Sequence, residues 1–497
     1  MSLVRRVASG SVVYTATTFL QKGISFLLLP IYTRYLTPDD YGILAVVGSL
    51  TSLLVVFYSL SLHAAVSRFY FAYRDHPEVM KEFWGTVIAL VIFVSLVGAV
   101  VLLVFGKILL APLYGSIAFY PYVVIGIATA MLQPVSTIFL SILQAKEEAQ
   151  RYAVHSLIQF GITVGLVISL VVFMGWNAAG PLLAGLLTAL AYTVVSLYLL
   201  KGDYRLCFKR EHVRTAVAYS LPLVPHSLAS QVAAASDKFF LNSLVSTATA
   251  GLYNIGALFG GIMAIVADGV NRAYVPVSME SLQADNPKRL DELAKLGVLL
   301  VAALSLTASL VSLFSKEVIQ LFTAPAFHES YVVVPCVAFS FVLAGIYYLF
   351  VNILFFRIGT TKVVAIGSVV GALLNVGLNY WLVKVYGMMG AAIAALFGQL
   401  MTTLLIAVIG SRYDPVRWNY KLIGLVPAAC FCVVLLVNVL KLENSLVSLG
   451  VKGVGFTVLY LLVNVLIWQD PMFMMRWGLR VLKKQIEEPQ SPSTAAV

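Results

Sequence analysis

Charged side chains are what this chain has least of: Asp, Glu, Lys and Arg make up 11% of 497 residues, against roughly 25% in a soluble domain. With 60% apolar residues and a mean hydropathy of +0.94, that shortage excludes a water-soluble globular protein. Cysteine is as rare. Cys207 falls between apolar windows and Cys336, Cys430 and Cys432 fall inside them, so no metal-spaced Cys-x-x-Cys pair exists and all four read as small core residues. Also missing are a P-loop, a nucleophile elbow, a metal-spaced histidine cluster and paired catalytic carboxylates in the outer loops. Each is a minimum for the chemistry it serves, so neither an enzyme nor an ATP-driven pump is expected, and no cofactor is implied. Segments between windows stay under about 25 residues, too short for a soluble catalytic domain.

What is present is apolar sequence in spanning lengths. A membrane helix needs ~20 predominantly apolar residues, and fourteen such windows follow one another, from one near residue 20 to one near residue 460. The alternating segments of ~10 residues that a β-barrel requires are absent. Lysine and arginine alternate with the windows. Segments on the side of the N-terminus hold 25 and those on the other side seven, with Lys22 completing the 33. That bias puts both termini in the cytoplasm. The net charge of +11 is therefore largely topological, suits an anionic inner leaflet, and needs no nucleic-acid partner.

Two halves of the chain share features at a constant displacement. Asp75-His76-Pro77-Glu78 and Asp285-Asn286-Pro287-Lys288 lie 210 apart, as do Gly161 and Gly371, Gly180 and Gly390, and Ala184 and Ala394; Tyr41-Gly42 meets Ala250-Gly251 at 209. Copies with an even number of spans keep one orientation, so their pseudo-twofold axis runs along the membrane normal. The fold class expected is an all-α polytopic membrane protein of 14 transmembrane helices, two six-helix lobes and two C-terminal helices. The lobes would cover residues 1–205 and 206–412, the last two helices 413–470, and a cytoplasmic basic amphipathic segment and tail 471–497. The basic link between lobes, Lys201 to Arg214, reads as a tether on the inner membrane surface, and Pro287 to Leu296 as a short surface helix.

The first window carries an ammonium. Ser11, Thr15, Thr18, Lys22 and Ser25 recur at three or four residues, with Gln21 beside them, so they share one helical face. A charge at bilayer depth persists where it faces a wet cavity or a partner, so this helix is expected to line a hydrated route. Arg68 ends the second window and Arg272 the eighth, where Asp268 stands four residues before it and is placed to pair. Guanidinium groups grip phosphate oxygens bidentately and an ammonium acts as a point charge. Lys22, Arg68 and Arg272 would suit a diphosphate, although both arginines also sit where basic residues snorkel. Asp268 is the candidate ion-coupling carboxylate. Pro222 and Pro225 should bend the seventh helix, and Asp237-Lys238 closes it as an ion pair or part of an outer gate. Thr15, Thr18, Gln21, Gln133 and Gln231 offer hydroxyls and amides to a sugar.

The phrase Phe26-Leu-Leu-Leu-Pro30-Ile-Tyr-Thr33-Arg34-Tyr-Leu-Thr-Pro38-Asp39-Asp-Tyr41-Gly42 resembles the first-helix signature of bacterial polysaccharide or O-antigen flippases. These belong to the multidrug/oligosaccharidyl-lipid/polysaccharide exporter superfamily. The Asn177-Ala-Ala-Gly180 turn before the sixth window is similar to theirs too. The resemblance implies a lipid-linked oligosaccharide, on undecaprenyl diphosphate, moved from the inner to the outer leaflet of the cytoplasmic membrane by alternating access, with Arg34 at the gate. It implies membrane lipids, a polysaccharide polymerase and chain-length machinery as partners, while a monomer suffices. Competing readings are a cation-coupled multidrug antiporter of the same superfamily, disfavoured by Lys22 and the scarcity of mid-membrane carboxylates, and a non-transporting assembly scaffold.

Overall fold

A computed structural model describes residues 28–283, 286–356, 361–412, 416–440 and 445–468, together with Val13, Thr17, Leu20, Gly23 and Phe26. Among these residues the structure is helical, without strands. The helices are α1 (Leu29–Tyr35), α2 (Pro38–Ser59), α3 (Leu62–Tyr73), α4 (Pro77–Leu109), α5 (Ala111–Tyr114), α6 (Val124–Ala145), α7 (Ala149–Ile168), α8 (Ala179–Leu199) and α9 (Arg210–Ser220). There follow α10 (Val224–Leu244), α11 (Thr247–Gly260), α12 (Ile262–Gln283), α13 (Pro287–Leu313), α14 (Ser315–Phe322), α15 (Val334–Phe356), α16 (Thr361–Gly410), α17 (Tyr420–Val439) and α18 (Ser445–Trp468).

Eleven helices among the described residues are long and apolar enough to cross a bilayer, which makes this a multi-pass membrane protein. The difference from fourteen windows has identifiable causes. Most of the first window lies outside the described residues. The seventh is broken by a 3₁₀ turn at Leu221–Leu223, where Pro222 and Pro225 remove backbone donors, and α10 beyond it is rich in Ser, Gln and charge. The eleventh and twelfth run together as α16, which turns at Gly387 with φ 57°. The second window is also interrupted: Leu60 and Ser61, between α2 and α3, both adopt positive φ, 45° and 54°. That conformation costs a non-glycine residue roughly 1–2 kcal/mol, so surrounding packing must hold it.

The chain forms two compact units. Unit one comprises Met1–Gly256, Val318–Val332 and Ala365–Gly398; unit two comprises Ala257–Glu317, Val333–Val364 and Gln399–Val497.

In unit one, α3, α4 and α6 meet around Trp84, Phe83, Ile88, Leu62 and Ile142, all fully buried. The link after α8 is docked there: Arg205 donates its backbone N–H to the Lys81 carbonyl at 3.0 Å. Gly85 makes this possible, since a Cβ there would lie 1.8 Å from the Arg205 carbonyl oxygen. Lys146 pairs with Asp203 at 2.6 Å while its ammonium sits 5.4 Å from the centre of the Trp84 ring, a cation–π contact.

The start of α2 is a capping box. The Thr37 hydroxyl accepts the Asp40 N–H at 3.2 Å, and the Asp40 carboxylate accepts the Thr37 N–H at 3.0 Å, so two of the orphan donors at the helix start are satisfied reciprocally. The other Asp40 oxygen accepts the Ala178 N–H at 3.2 Å, which ties the Thr-Pro-Asp-Asp-Tyr-Gly phrase to the Asn177 turn before α8. Two residues on, Gly42 meets α11. A Cβ on Gly42 would fall 1.9 Å from the Thr247 carbonyl oxygen, and one on Gly251 would fall 2.2 Å from that of Pro38. Pro38 and Thr247 differ by 209, as do Gly42 and Gly251. The two approaches are images of each other, as a local twofold axis demands.

In unit two, α12, α13, α15 and α17 pack around Val301, Ile353, Leu354 and Trp418. The segment expected as a short surface helix, Pro287 to Leu296, is instead the first third of α13. Lys452 of α18, 5% exposed, pairs with Glu317 at 2.6 Å.

Gly42→Ala and Gly251→Ala should each lower stability by about 1–3 kcal/mol, the cost of overpacking against backbone that cannot yield. Gly161→Ala, whose Cβ would meet nothing within 4 Å, serves as the control, and thermal unfolding in detergent reads the difference. Lys452→Ala, which leaves Glu317 unpaired, should cost about 3 kcal/mol in the same measurement, and adding Glu317→Leu to Lys452→Met should restore most of it.

Candidate transport cavity

Polar residues placed inside an apolar bundle need either a partner or water, and unit one supplies space for them. A cavity of about 380 Å³ lies between α2, α10 and α11. Its α2 wall is Leu44 with Ala45, Gly48, Ser49 and Ser52, the last four spaced i, i+3, i+4, i+7 on one helical face. Small side chains there leave the volume that larger ones would fill. Facing them on α10 are Gln231, Ala234 and Lys238, again a single stripe, and Asn254 of α11 closes the ring. The Lys238 ammonium donates to the Ala234 carbonyl at 3.2 Å. Asp237, next in sequence, is turned one position round the helix and accepts the Lys238 backbone N–H at 3.0 Å. Among the described residues no carboxylate forms an ion pair with Lys238.

Next to the cavity along the chain, Gly42 lies one turn from Ala45 and Gly251 three residues before Asn254, so the close backbone approach of α2 and α11 at these glycines neighbours the space. Around them Asn242 donates to the Tyr114 carbonyl at 2.7 Å and accepts the Thr247 hydroxyl at 2.7 Å, while Ser116 and Thr247 share a hydroxyl contact at 3.2 Å. On the remaining side of α10, Ser236 donates to Asn375 at 3.1 Å and accepts from Asn379 at 3.2 Å. Asn379 is 1% exposed, so this polar contact is buried, and it fixes the rotation of α10 that aims Gln231 and Lys238 at the cavity.

Of the residues expected to act, Gln231 and Lys238 are brought together here. Lys22, Gln21, Thr15 and Thr18 lie outside the described residues. Gln133 sits half-buried on α6, where its backbone carbonyl accepts the Ser136 and Thr137 hydroxyls. Pro222 and Pro225 mark the break before and within the first turn of α10. Arg34 is exposed in the last turn of α1 and Arg68 is exposed on α3. Asp268 and Arg272 belong to unit two, both exposed; there the Tyr348 hydroxyl donates to Asp268 at 2.8 Å and, one turn on, Asn352 donates to Asn271 at 2.8 Å. Ser49, Ser52 and Asn254 escaped the sequence reading. The signal for the serines was the Ala45 to Ser52 spacing in the second window, and for Asn254 its place one turn past the repeated Ala-Gly pair. Among the described residues no three His, Cys, Asp or Glu side chains cluster to hold a metal ion.

The chain is similar to known proteins in sequence and in fold. The chain is 25% identical over 287 residues to "Lsg locus putative protein 1" of Haemophilus influenzae, covering 56% of this chain and 67% of that protein. It is 23% identical over 392 residues to an uncharacterized membrane protein of the same organism, covering 76% and 89%. In fold it is similar to the lipid II flippase MurJ in an inward closed conformation, at TM-score 0.71 and 13% identity, covering 91% of this chain and 99% of that one. It is also similar to an inward-facing multidrug resistance MATE family transporter, at TM-score 0.63 and 16% identity, covering 78% and 93%. The MatE family profile matches residues 222–381. The profile of the polysaccharide biosynthesis protein family matches residues 7–282, more than half of the chain, and to that family, within the multidrug/oligosaccharidyl-lipid/polysaccharide exporter superfamily, this protein belongs.

Proposed function

We propose that the protein is a flippase that carries an undecaprenyl-diphosphate-linked oligosaccharide from the inner to the outer leaflet of the cytoplasmic membrane for surface polysaccharide synthesis. The observation that carries this reading is a polar cavity holding one ammonium, that of Lys238, in a member of the polysaccharide biosynthesis family. A diphosphate cannot cross hydrocarbon uncompensated, so it needs a wet cationic route while its polyprenyl tail stays in lipid. Lys22, Arg68 and Arg272 are assigned to the diphosphate, and Gln231 with Thr15, Thr18, Gln21 and Gln133 to the sugar. Asp268 is the coupling carboxylate, held in orientation by Tyr348.

Transport proceeds by alternating access of two lobes, residues 1–205 and 206–412, with both termini cytoplasmic and residues 413–470 outside the repeat. The close approach at Gly42 and Gly251 is the closed outer gate. Arg34, Asp237 and Lys238 flank it, and the break at Pro222 and Pro225 is the hinge. No catalysis is involved, a monomer is sufficient, and the polymerase and chain-length machinery receive the product.

A second reading, a cation-coupled multidrug antiporter, is favoured by the MatE match over residues 222–381. A cationic drug would call for an acidic or aromatic wall, whereas the cavity wall carries Lys238 and neutral amides and hydroxyls.

Depleting the protein in a strain with no second flippase should accumulate lipid-linked oligosaccharide at the inner leaflet. Wild type should relieve this, and Lys22→Ala or Arg68→Ala at matched expression should slow outward transfer about tenfold or more, because a hydrogen bond to a charged group is worth roughly 1.5–3 kcal/mol. Unchanged outward transfer in depleted cells would sink the flippase reading, and a concurrent gain in drug sensitivity would promote the antiporter.

A further inference from the structure

We propose that the cavity between α2, α10 and α11 is a subsite for an acid-bearing sugar residue of the carried glycan, with the Lys238 ammonium pairing the sugar's carboxylate. The proposal rests on the flippase reading and narrows its substrate to glycans that include a carboxylated sugar.

The case begins with a charge that forms no ion pair among the described residues. Lys238 is half-buried, and of the three protons on its ammonium one is placed on the Ala234 carbonyl of its own turn. The neighbouring Asp237 carboxylate accepts the Lys238 backbone N–H and makes no ion pair with its ammonium. A cation kept inside a membrane bundle without a carboxylate partner is costly unless it is hydrated or meets an anion that enters the cavity. The space beside it, about 380 Å³, falls within the roughly 300–1,000 Å³ of small-ligand sites.

The remaining wall decides what kind of anion fits. Ser49 and Ser52 offer hydroxyls, and Gln231 and Asn254 offer amides. The amides and the Ser49 hydroxyl can both donate and accept, and Ser52, whose hydroxyl donates to the Gly48 carbonyl at 2.9 Å, can accept, which matches the mixed donors and acceptors of a pyranose ring better than the acceptor-only surface of a phosphate. A diphosphate would call for several cations or a guanidinium fork; one ammonium among neutral groups fits a single carboxylate.

The test uses the full-length protein in nanodiscs and saturation-transfer NMR, with D-glucuronate, D-glucose and glucose 1-phosphate as probes at low ionic strength. Glucuronate should bind roughly fivefold more tightly than glucose, as a partly desolvated ion pair predicts, and the preference should fade as salt is raised. Lys238→Gln should abolish the preference, Lys238→Arg should retain it, and Ser52→Ala should weaken both sugars alike. Equal binding of glucuronate and glucose by wild type, or an unchanged preference in folded Lys238→Gln, would overturn the proposal, as would tighter binding of glucose 1-phosphate than of glucuronate. If depletion accumulates lipid-linked oligosaccharide while glucuronate shows no preference, the subsite fails and the flippase stands. If glucuronate binds as expected but depletion leaves transfer intact, the subsite stands and the flippase reading fails.

Discussion

Where α2 and α11 meet, each helix presents its backbone to the other, because a side chain at Gly42 or Gly251 would occupy the space of a carbonyl oxygen. Small residues let membrane helices approach this closely, and the approach recurs at the same displacement in both halves of the chain, so one geometry serves twice. Much else depends on it. The capping box at Thr37 and Asp40 sets the start of α2 and thereby the register that brings Gly42 opposite Thr247. The Asn242 contacts with Tyr114 and Thr247 then brace the same end. Beside this approach, the next turns of α2, α10 and α11 diverge around small side chains, and the cavity is the space that results.

The cavity puts a general constraint of membrane interiors to use. Polar groups in hydrocarbon are stabilised by partners, and where partners are lacking the site fills with water or ligand. Ser236, Asn375 and Asn379 hydrogen-bond to one another and hold α10 in rotation. Gln231 and Lys238 face the open side. The same helix thus carries a buried polar contact and a cavity-facing polar stripe, separated by roughly 140–160° of rotation.

Elsewhere polar and charged groups serve packing. The Lys452–Glu317 pair anchors α18 in unit two, and the Lys146–Asp203 pair with Trp84 holds the link after α8 against α4. The proline-bearing break at Leu221–Leu223 then falls directly between α9, which packs with α3 and α4, and α10, which packs with α2. A docked link on one side and a cavity helix on the other leave the break as the natural place for the chain to bend.

Sequence by itself determined the class, most of the spanning segments and the correspondence of Gly42 with Gly251, because these depend on composition and on periodicities of 3.6 residues and about 210. It also singled out Pro222 and Pro225, where a missing N–H interrupts a helix whatever surrounds it, and Gln231 and Lys238, which are polar where hydrocarbon is expected. Tertiary structure decided which polar residues converge. Ser49, Ser52 and Asn254 are unremarkable in their own segments and become a wall only when three helices distant in sequence are rotated toward one space. It also decided that the basic link docks on α4 and that Pro287 to Leu296 continues into α13, since a glycine at position 85 and an unbroken run of helix formers matter only through what they pack against. Windows predict crossings, but helix rotation and backbone approach are settled by side chains that meet across the bundle.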